Sequence, residues 1–219
     1  EQEEVNAVMS FSSNVKQELC RLPINRKLEA AAELYGILLY CHTFNSTEVR
    51  IITENPGFAQ RLPKVFQRAF SLRFDRVPEE GEEGKRIFQI TDQKKLDHII
   101  NLLGFDPQQN LVLHINFGMV EETCDRAAFL RGAFFAGGSI TDPQKRYHLE
   151  LTTSHLQVSR ELDSLLQECG YPPKSLSRGG SLITYFKQSD QIEDFLTLIG
   201  APVAAMNVMS AKLEKDLRN

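Results

Sequence analysis

Two apolar helical segments carry a glycine at the same place, and this constrains the fold more than any other feature of the chain. "KLEAAAELYGILLYC" (27–41) and "CDRAAFLRGAFFAGG" (124–138) both read as buried helices interrupted by Gly36 and Gly132. A glycine inside a helix costs about 1 kcal/mol relative to alanine, so a repeated one needs a reason. The two glycines stand 96 positions apart, and the same offset brings Ala32 onto Ala128, Leu34 onto Leu130 and Thr43 onto Ser139. It holds again far downstream. There "RIFQITDQKKLDHIINLLG" (86–104) falls on "LITYFKQSDQIEDFLTLIG" (182–200), which pairs Ile87 with Ile183, Asp97 with Glu193, Leu102 with Leu198 and Gly104 with Gly200. Between these ends, "VRIITEN" (49–55) matches "HLELTTS" (148–154) at an offset of 99. One register recurring at both ends of a long unit marks an internal duplication. It predicts two similar halves facing each other across a pseudo-two-fold axis.

Each half parses alike. After the apolar helix comes a strand (48–53; 146–153), then an amphipathic helix (57–70; 154–170), the second with Ser154 as its N-cap and Gly170 as its stop. A hairpin follows, 71–77 with 85–91 and 173–178 with 181–187, the latter turning at Arg178-Gly179-Gly180. A closing helix (92–103; 188–199) ends on Gly104 or Gly200. With short strands near 43–46 and 139–142, the class is α+β: two pseudo-symmetric αββαββα halves, their central helices paired over two antiparallel sheets. The expected division is 9–104 for a leading helix (13–22) plus the first half, 105–123 for a bridge, 124–200 for the second half, and 201–219 for a trailing helix.

The glycines have a steric reading. Residues four apart share a helix face, so Ala128, Gly132 and Ala136 make a small-residue stripe, as do Ala32 and Gly36 before Tyr40 ends theirs. Small stripes let two backbones approach closely. Matching stripes in duplicated halves therefore predict that the two helices pack on each other. Gly137 and Gly138 are then either ordinary C-caps or a stop at a fixed depth.

Composition narrows the function. No apolar run is long enough to span a bilayer. Cys20, Cys41, Cys124 and Cys169 form no C-x-x-C pair and read as free thiols of a reducing cytoplasm. A net charge of −4 argues against strong nucleic-acid binding by this segment alone. No P-loop, G-x-G-x-x-G, H-E-x-x-H or G-x-S-x-G is present, and no cofactor is expected.

"LRGAFFAGG" (130–138) resembles the LAGLIDADG helix of homing endonucleases, and "LYGILLYCH" (34–42) has the same shape. Those enzymes pack two such helices at a pseudo-dyad over two DNA-binding sheets. "MSFSSNVKQEL", "CDRAAFLRGAFFAGGSITDP", "YHLELTTS" and "DFLTLIGAPVAAMNVMSAKLEKDLRN", in that order, are similar to the WhiA family of bacterial sporulation and cell-division transcription regulators, from about Met9 to the last residue. The resemblance implies a degenerate LAGLIDADG-like domain followed by a C-terminal helix-turn-helix domain, absent from these residues, that carries most promoter recognition. It implies duplex DNA as a partner, a WhiB-type iron–sulfur regulator as a protein partner in actinobacteria, and a cytoplasmic, nucleoid-associated location with no membrane contact.

In the nucleases the eighth letter of each motif is an acid, and the two carboxylates share divalent metals. Here those positions are Cys41 and Gly137, so no catalytic or metal residue is expected. Asp142 reads as a turn residue before Pro143, and adjacent Cys41 and His42 point apart. The candidate DNA contacts are the cations in or near the strands: Arg50, Arg73, Arg76, Lys85, Arg86, Arg146, Lys174, Arg178 and Lys187. "EEGEEG" (79–84) opposes them with four carboxylates. Two other readings stand beside a non-catalytic DNA-regulator domain: a protein-interaction scaffold without DNA contact, and an active metal-dependent homing endonuclease.

Overall fold

The computed structural model describes residues 10–109 and 111–219; Met9, where the first expected unit begins, and Asn110 in the bridge lie outside them. The two helices that carry the glycines are α2 (Lys27–Tyr40) and α5 (Thr123–Gly137). Both are apolar on nearly every side, the signature of a helix buried all round. Almost every residue from Ala30 to Tyr40 and from Ala128 to Phe135 is inaccessible to solvent.

They cross at their glycines. A Cβ on Gly36 would collide with the Phe129 carbonyl oxygen and sit 2.8 Å from the Ala133 nitrogen. One on Gly132 would collide with the Glu33 carbonyl oxygen and sit 3.0 Å from the Ile37 nitrogen. Phe129 and Ala133 are the repeat equivalents of Glu33 and Ile37, so the contact is two-fold symmetric in its backbone.

A sheet lies with each half. The first has three antiparallel strands in the order β1 (Thr43–Phe44), β2 (Val49–Thr53) and β3 (Arg86–Ile90). The second has four, in the order β4 (Gly138–Ile140), β5 (Leu149–Thr153), β7 (Ser181–Phe186) and β6 (Lys174–Arg178). Helices α3 (Pro56–Phe70) and α4 (Gln93–Leu102) complete the first half; α6 (Leu156–Glu168) and α7 (Ser189–Ile199) complete the second. The leading helix is α1 (Phe11–Leu19) and the trailing helix α8 (Pro202–Arg218). Glu18 ties them together, its carboxylate accepting from the Val203 and Ala204 N–H groups at 2.9 Å each, where the positive end of the α8 dipole favours an anion.

The register corrects the alignment of the middle segments. Val49 pairs with Ile90, and Leu149 pairs with Phe186. Ile90 and Phe186 are equivalent at the 96-residue offset, so the partner of Val49 is Leu149 and not His148. The matching pairs are Val49/Leu149, Ile51/Leu151 and Thr53/Thr153, which share one face, the first two pairs buried. A slip of one residue would have turned every side chain to the other face. The extra residues lie in the longer β4–β5 connection, 141–148 against 45–48.

The first hairpin also differs from expectation. Instead of a strand over 71–77 there is a single bridge, Arg76 to Gln89. Both Asp75 and Arg76 donate to the same Gln89 carbonyl, at 2.9 and 3.1 Å, so the segment is bulged where it pairs. Pro78 then removes the next donor. Phe74 pins the segment instead, stacked on Phe66 with ring centroids 4.3 Å apart and tilted against Phe88 at 5.2 Å. The second hairpin closes as read, through Gly179 and Gly180 at φ 54° and 83°, both in the left-handed region a two-residue type I′ turn requires. Ser154 is not the cap of α6; His155 holds that position, with no side-chain cap. In its place, Thr153 Oγ1 accepts from the His155 N–H at 3.2 Å, as Thr53 Oγ1 does from Asn55 at 3.0 Å.

Candidate functional site

In a chain of this architecture the chemistry would sit at the C-terminal ends of the paired helices, where the two sheets begin. At the α2 end, the Cys41 thiol hydrogen-bonds to the carbonyls of Leu38 and Thr43 at 3.3 Å each. Burial pushes it up to about 12, so the sulfur stays protonated. His42 turns outward, its Nδ1 2.8 Å from Thr43 Oγ1.

The α5 end is closed in a different way. Gly138 ends the helix at φ −96° and ψ 149° and enters β4 directly, with no left-handed cap. Its own Cβ would lie 2.7 Å from Phe134 Cα. A Cβ on Gly137 would lie 2.5 Å from the Thr152 carbonyl oxygen and 2.9 Å from that of Tyr40. These glycines therefore mark close approach of three backbones. Position 137 has no room for a side chain of any kind, a carboxylate included.

Metal ligation fits this site poorly. Among the described residues no group of three or more His, Cys, Asp or Glu side chains is arranged to hold an ion. Asp142 makes a turn, its Oδ1 accepting from the Gln144 N–H at 2.9 Å. A divalent ion shared between two helix-borne acids has no ligands here.

Charge is concentrated further up the helices. Glu33, 1% exposed, receives Arg61 Nε and Nη2 at 2.9 Å each and Arg131 Nε at 2.6 Å. Arg61 Nη1 also donates to the Leu22 carbonyl at 2.6 Å, and Arg131 Nη1 to the Ile199 carbonyl at 3.0 Å. Glu29 approaches Arg131 at 3.5 Å from the partly exposed edge. The network joins α2, α3 and α5 with the segment before α2 and the end of α7. Sequence reading passed over it; the available signal was Arg131 itself, a cation beside the motif glycine of an otherwise apolar helix.

The candidate DNA contacts scatter. Val49, Ile51, Phe88 and Ile90 are buried on one face of the first sheet, so Arg50 and Gln89 point away from the helices, and Arg76 joins them through its bridge to Gln89. By the same alternation Glu150, Tyr185, Lys174 and Arg178 occupy the outer face of the second sheet. Arg50 is paired with Glu48 at 3.1 Å, and Lys187 lies 5.6 Å over the Tyr185 ring. Arg86 turns to the carbonyls of Glu54 and Gly84 at 3.1 and 3.2 Å. Lys85 and Arg146 are exposed in connections. Arg73 is not with them: it borders a groove on the helical side, beside α3. The repeat equivalents of Glu48 and Arg50 are His148 and Glu150, whose side chains lie 2.9 Å apart, so the carboxylate changes place between the sheets.

Known proteins resemble this chain in sequence and fold. The family model described as the WhiA LAGLIDADG-like domain matches residues 126–218. A probable cell division protein WhiA of Ruminiclostridium cellulolyticum is 33% identical over 96% of this chain and 70% of its own length. One of Clostridium perfringens is 30% identical over 96% and 71%. Among solved structures, full-length DUF199/WhiA from Thermatoga maritima superimposes with a TM-score of 0.74 at 19% identity, covering 94% of this chain and 67% of that one. The homing endonuclease I-DmoI, in complex with DNA and calcium, does so with a TM-score of 0.57 at 13% identity, covering 83% and 98%. No helix among the described residues is long and apolar enough to cross a membrane. A LAGLIDADG fold whose helices meet at Gly36 and Gly132, matched along nearly its whole length by cell division proteins, belongs to the WhiA family.

Proposed function

We propose that this chain is a non-catalytic domain of a DNA-binding transcription regulator acting in cell division or sporulation. On this reading the homing-endonuclease scaffold is kept as a rigid frame, while cleavage is lost. The carrying observation is the closed end of α5: the backbones of Thr152 and Tyr40 occupy the space a carboxylate at position 137 would need. The Cys41 thiol at the other foot, hydrogen-bonded to two backbone carbonyls, supports it. The unit 9–104 is then one half of the frame, 105–123 a bridge, 124–200 the other half, and 201–219 a helical exit.

DNA contact by this frame is weak and made through phosphates. The outer-face cations Arg76, Lys174 and Arg178 are exposed, but Arg50 is paired with Glu48 and the residues Glu79, Glu80 and Glu82 stand beside Arg76. Promoter selection and a WhiB-like partner belong to the regulator as a whole, which works at the nucleoid in the cytoplasm. A titration with duplex DNA at two salt concentrations tests the reading. Binding should be sequence-indifferent and at least about tenfold weaker at 200 mM than at 50 mM salt. Salt-independent or absent binding would favour a scaffold that only meets proteins. Magnesium-dependent cleavage would overturn the reading.

A further inference from the structure

We propose that a groove beside α3 receives an acidic, amphipathic peptide segment of a partner protein. The groove, about 1120 Å³, lies between the C-terminal half of α3, the segment entering α2 and the bulged segment 71–77. Its floor is apolar: Ile24, Pro63, Leu72, Phe74 and Val77. Val77 is 53% exposed, so the floor meets water at that end, while Phe74 is buried beneath it. The rim is cationic, made by Lys27, Lys64, Arg68 and Arg73, and no carboxylate lines it. None of these four side chains makes an ion pair among the described residues; Arg68 donates to the Asn25 carbonyl at 3.2 and 3.0 Å. In a chain of net charge −4 this is a local reversal of sign.

The duplication supplies a control. Applying the repeat, Lys27 corresponds to Thr123, Lys64 to Ser164 and Arg68 to Glu168, so the other half carries one acid and no cation at these positions. The basic rim is therefore not inherited from the shared frame. It is special to one side, where the connection 71–77 makes a single bridge in place of a strand and lies over an apolar floor.

The combination selects the ligand. Phosphates need cations but gain nothing from an apolar floor. The groove also lies on the helical side of the first sheet, away from the outer faces that carry Arg50, Arg76 and Lys174. A peptide with apolar anchors on one face and Asp or Glu on the flanks uses both features, as in helix-in-groove recognition. The occupant is thus an acidic segment with apolar residues at helical spacing, and charge complementarity would steer it.

The test uses the whole chain and a fluorescein-labelled helical peptide with Leu at i, i+3 and i+4 positions and Glu on the flanks. Two control peptides carry Ser for Leu, or Lys for Glu. Fluorescence anisotropy should show saturable binding of the first peptide, weakened about tenfold or more by the Lys27→Glu/Lys64→Glu variant and by the Ser control, and several-fold by Val77→Ser. The Lys control should not bind. All of these positions are on the surface, so the thermal midpoint should hold; if it falls, Lys27→Gln/Lys64→Gln replaces the double reversal. The proposal is overturned by absence of binding, by binding that survives both charge variants, by equal binding of the Ser control, or by displacement of the peptide with a short DNA duplex. Because DNA binding is read separately, failure here leaves the regulator reading standing.

Discussion

The two sides of the pseudo-dyad hold the same backbone contact with opposite chemistry. On one side Glu33 meets Arg131; on the other their repeat equivalents, Phe129 and Tyr35, meet edge to face with ring centroids 5.5 Å apart. The outer helices repeat the contrast. Arg61 of α3 closes the ion network, whereas its equivalent on α6, Glu161, accepts the Ile115 N–H of the bridge at 2.7 Å. Tyr35 reaches the same bridge, its hydroxyl donating to the His114 carbonyl at 2.6 Å and accepting from the Asn116 N–H at 2.7 Å. The comparison separates what duplication must keep from what it may change. Glycine at the crossing is required on both sides because each faces a carbonyl of the opposite helix. The groups around it need only satisfy one another, and ions or aromatic rings do so equally well.

The largest effect should come from breaking the ionic side. Glu33→Ala removes the buried carboxylate that Arg61 and Arg131, 5% and 6% exposed, share, leaving them one backbone carbonyl each and, for Arg131, the Glu29 edge. Breaking a buried pair from one side costs about 3–5 kcal/mol, to be read from urea unfolding. A loss of less than about 1 kcal/mol would mean that water reaches the network. Next comes Gly132→Ala. Its Cβ meets the Glu33 carbonyl, so the helices must part; overpacking of about 1–3 kcal/mol or more should outweigh the helix-propensity gain near 1 kcal/mol. Gly36→Ala should behave alike, and a large difference between the two would break the symmetry of the crossing. On the aromatic side Tyr35→Phe removes two hydrogen bonds while keeping the ring, for about 1–2 kcal/mol. Smallest in energy is the foot of α2. Cys41 should resist iodoacetamide at pH 8 in the folded chain, since its thiol stays protonated to about 12. Rapid alkylation of Cys41 would show that this end is open.

The sequence carried the features with a repeated or strong local signal and lost those that depend on partners far along the chain. Gly36 and Gly132 were legible because a costly residue recurred at a fixed offset. So was the turn at Gly179-Gly180. The middle register was misread by one residue because an alignment by residue type does not see the longer 141–148 connection, whereas Val49 and Leu149 are identified by their cross-strand partners. The strand expected at 71–77 failed because its alternation is local, while the Phe74 stack that replaces it depends on Phe66 and Phe88 from elsewhere. The network of Glu33, Arg61 and Arg131 was invisible for the same reason. Amphipathic patterns assign charges to solvent, and only tertiary structure brings three buried ones together.

The feet of the helices carry the central claim, and a manganese titration of the Cys41→Asp/Gly137→Asp variant, followed by electron paramagnetic resonance, tests it most directly. Both acids of an active LAGLIDADG pair are then present in sequence. The account predicts a destabilised protein with no saturable manganese site, because Thr152 and Tyr40 fill the space at position 137. A variant that unfolds at the wild-type midpoint and binds one manganese ion stoichiometrically would contradict it.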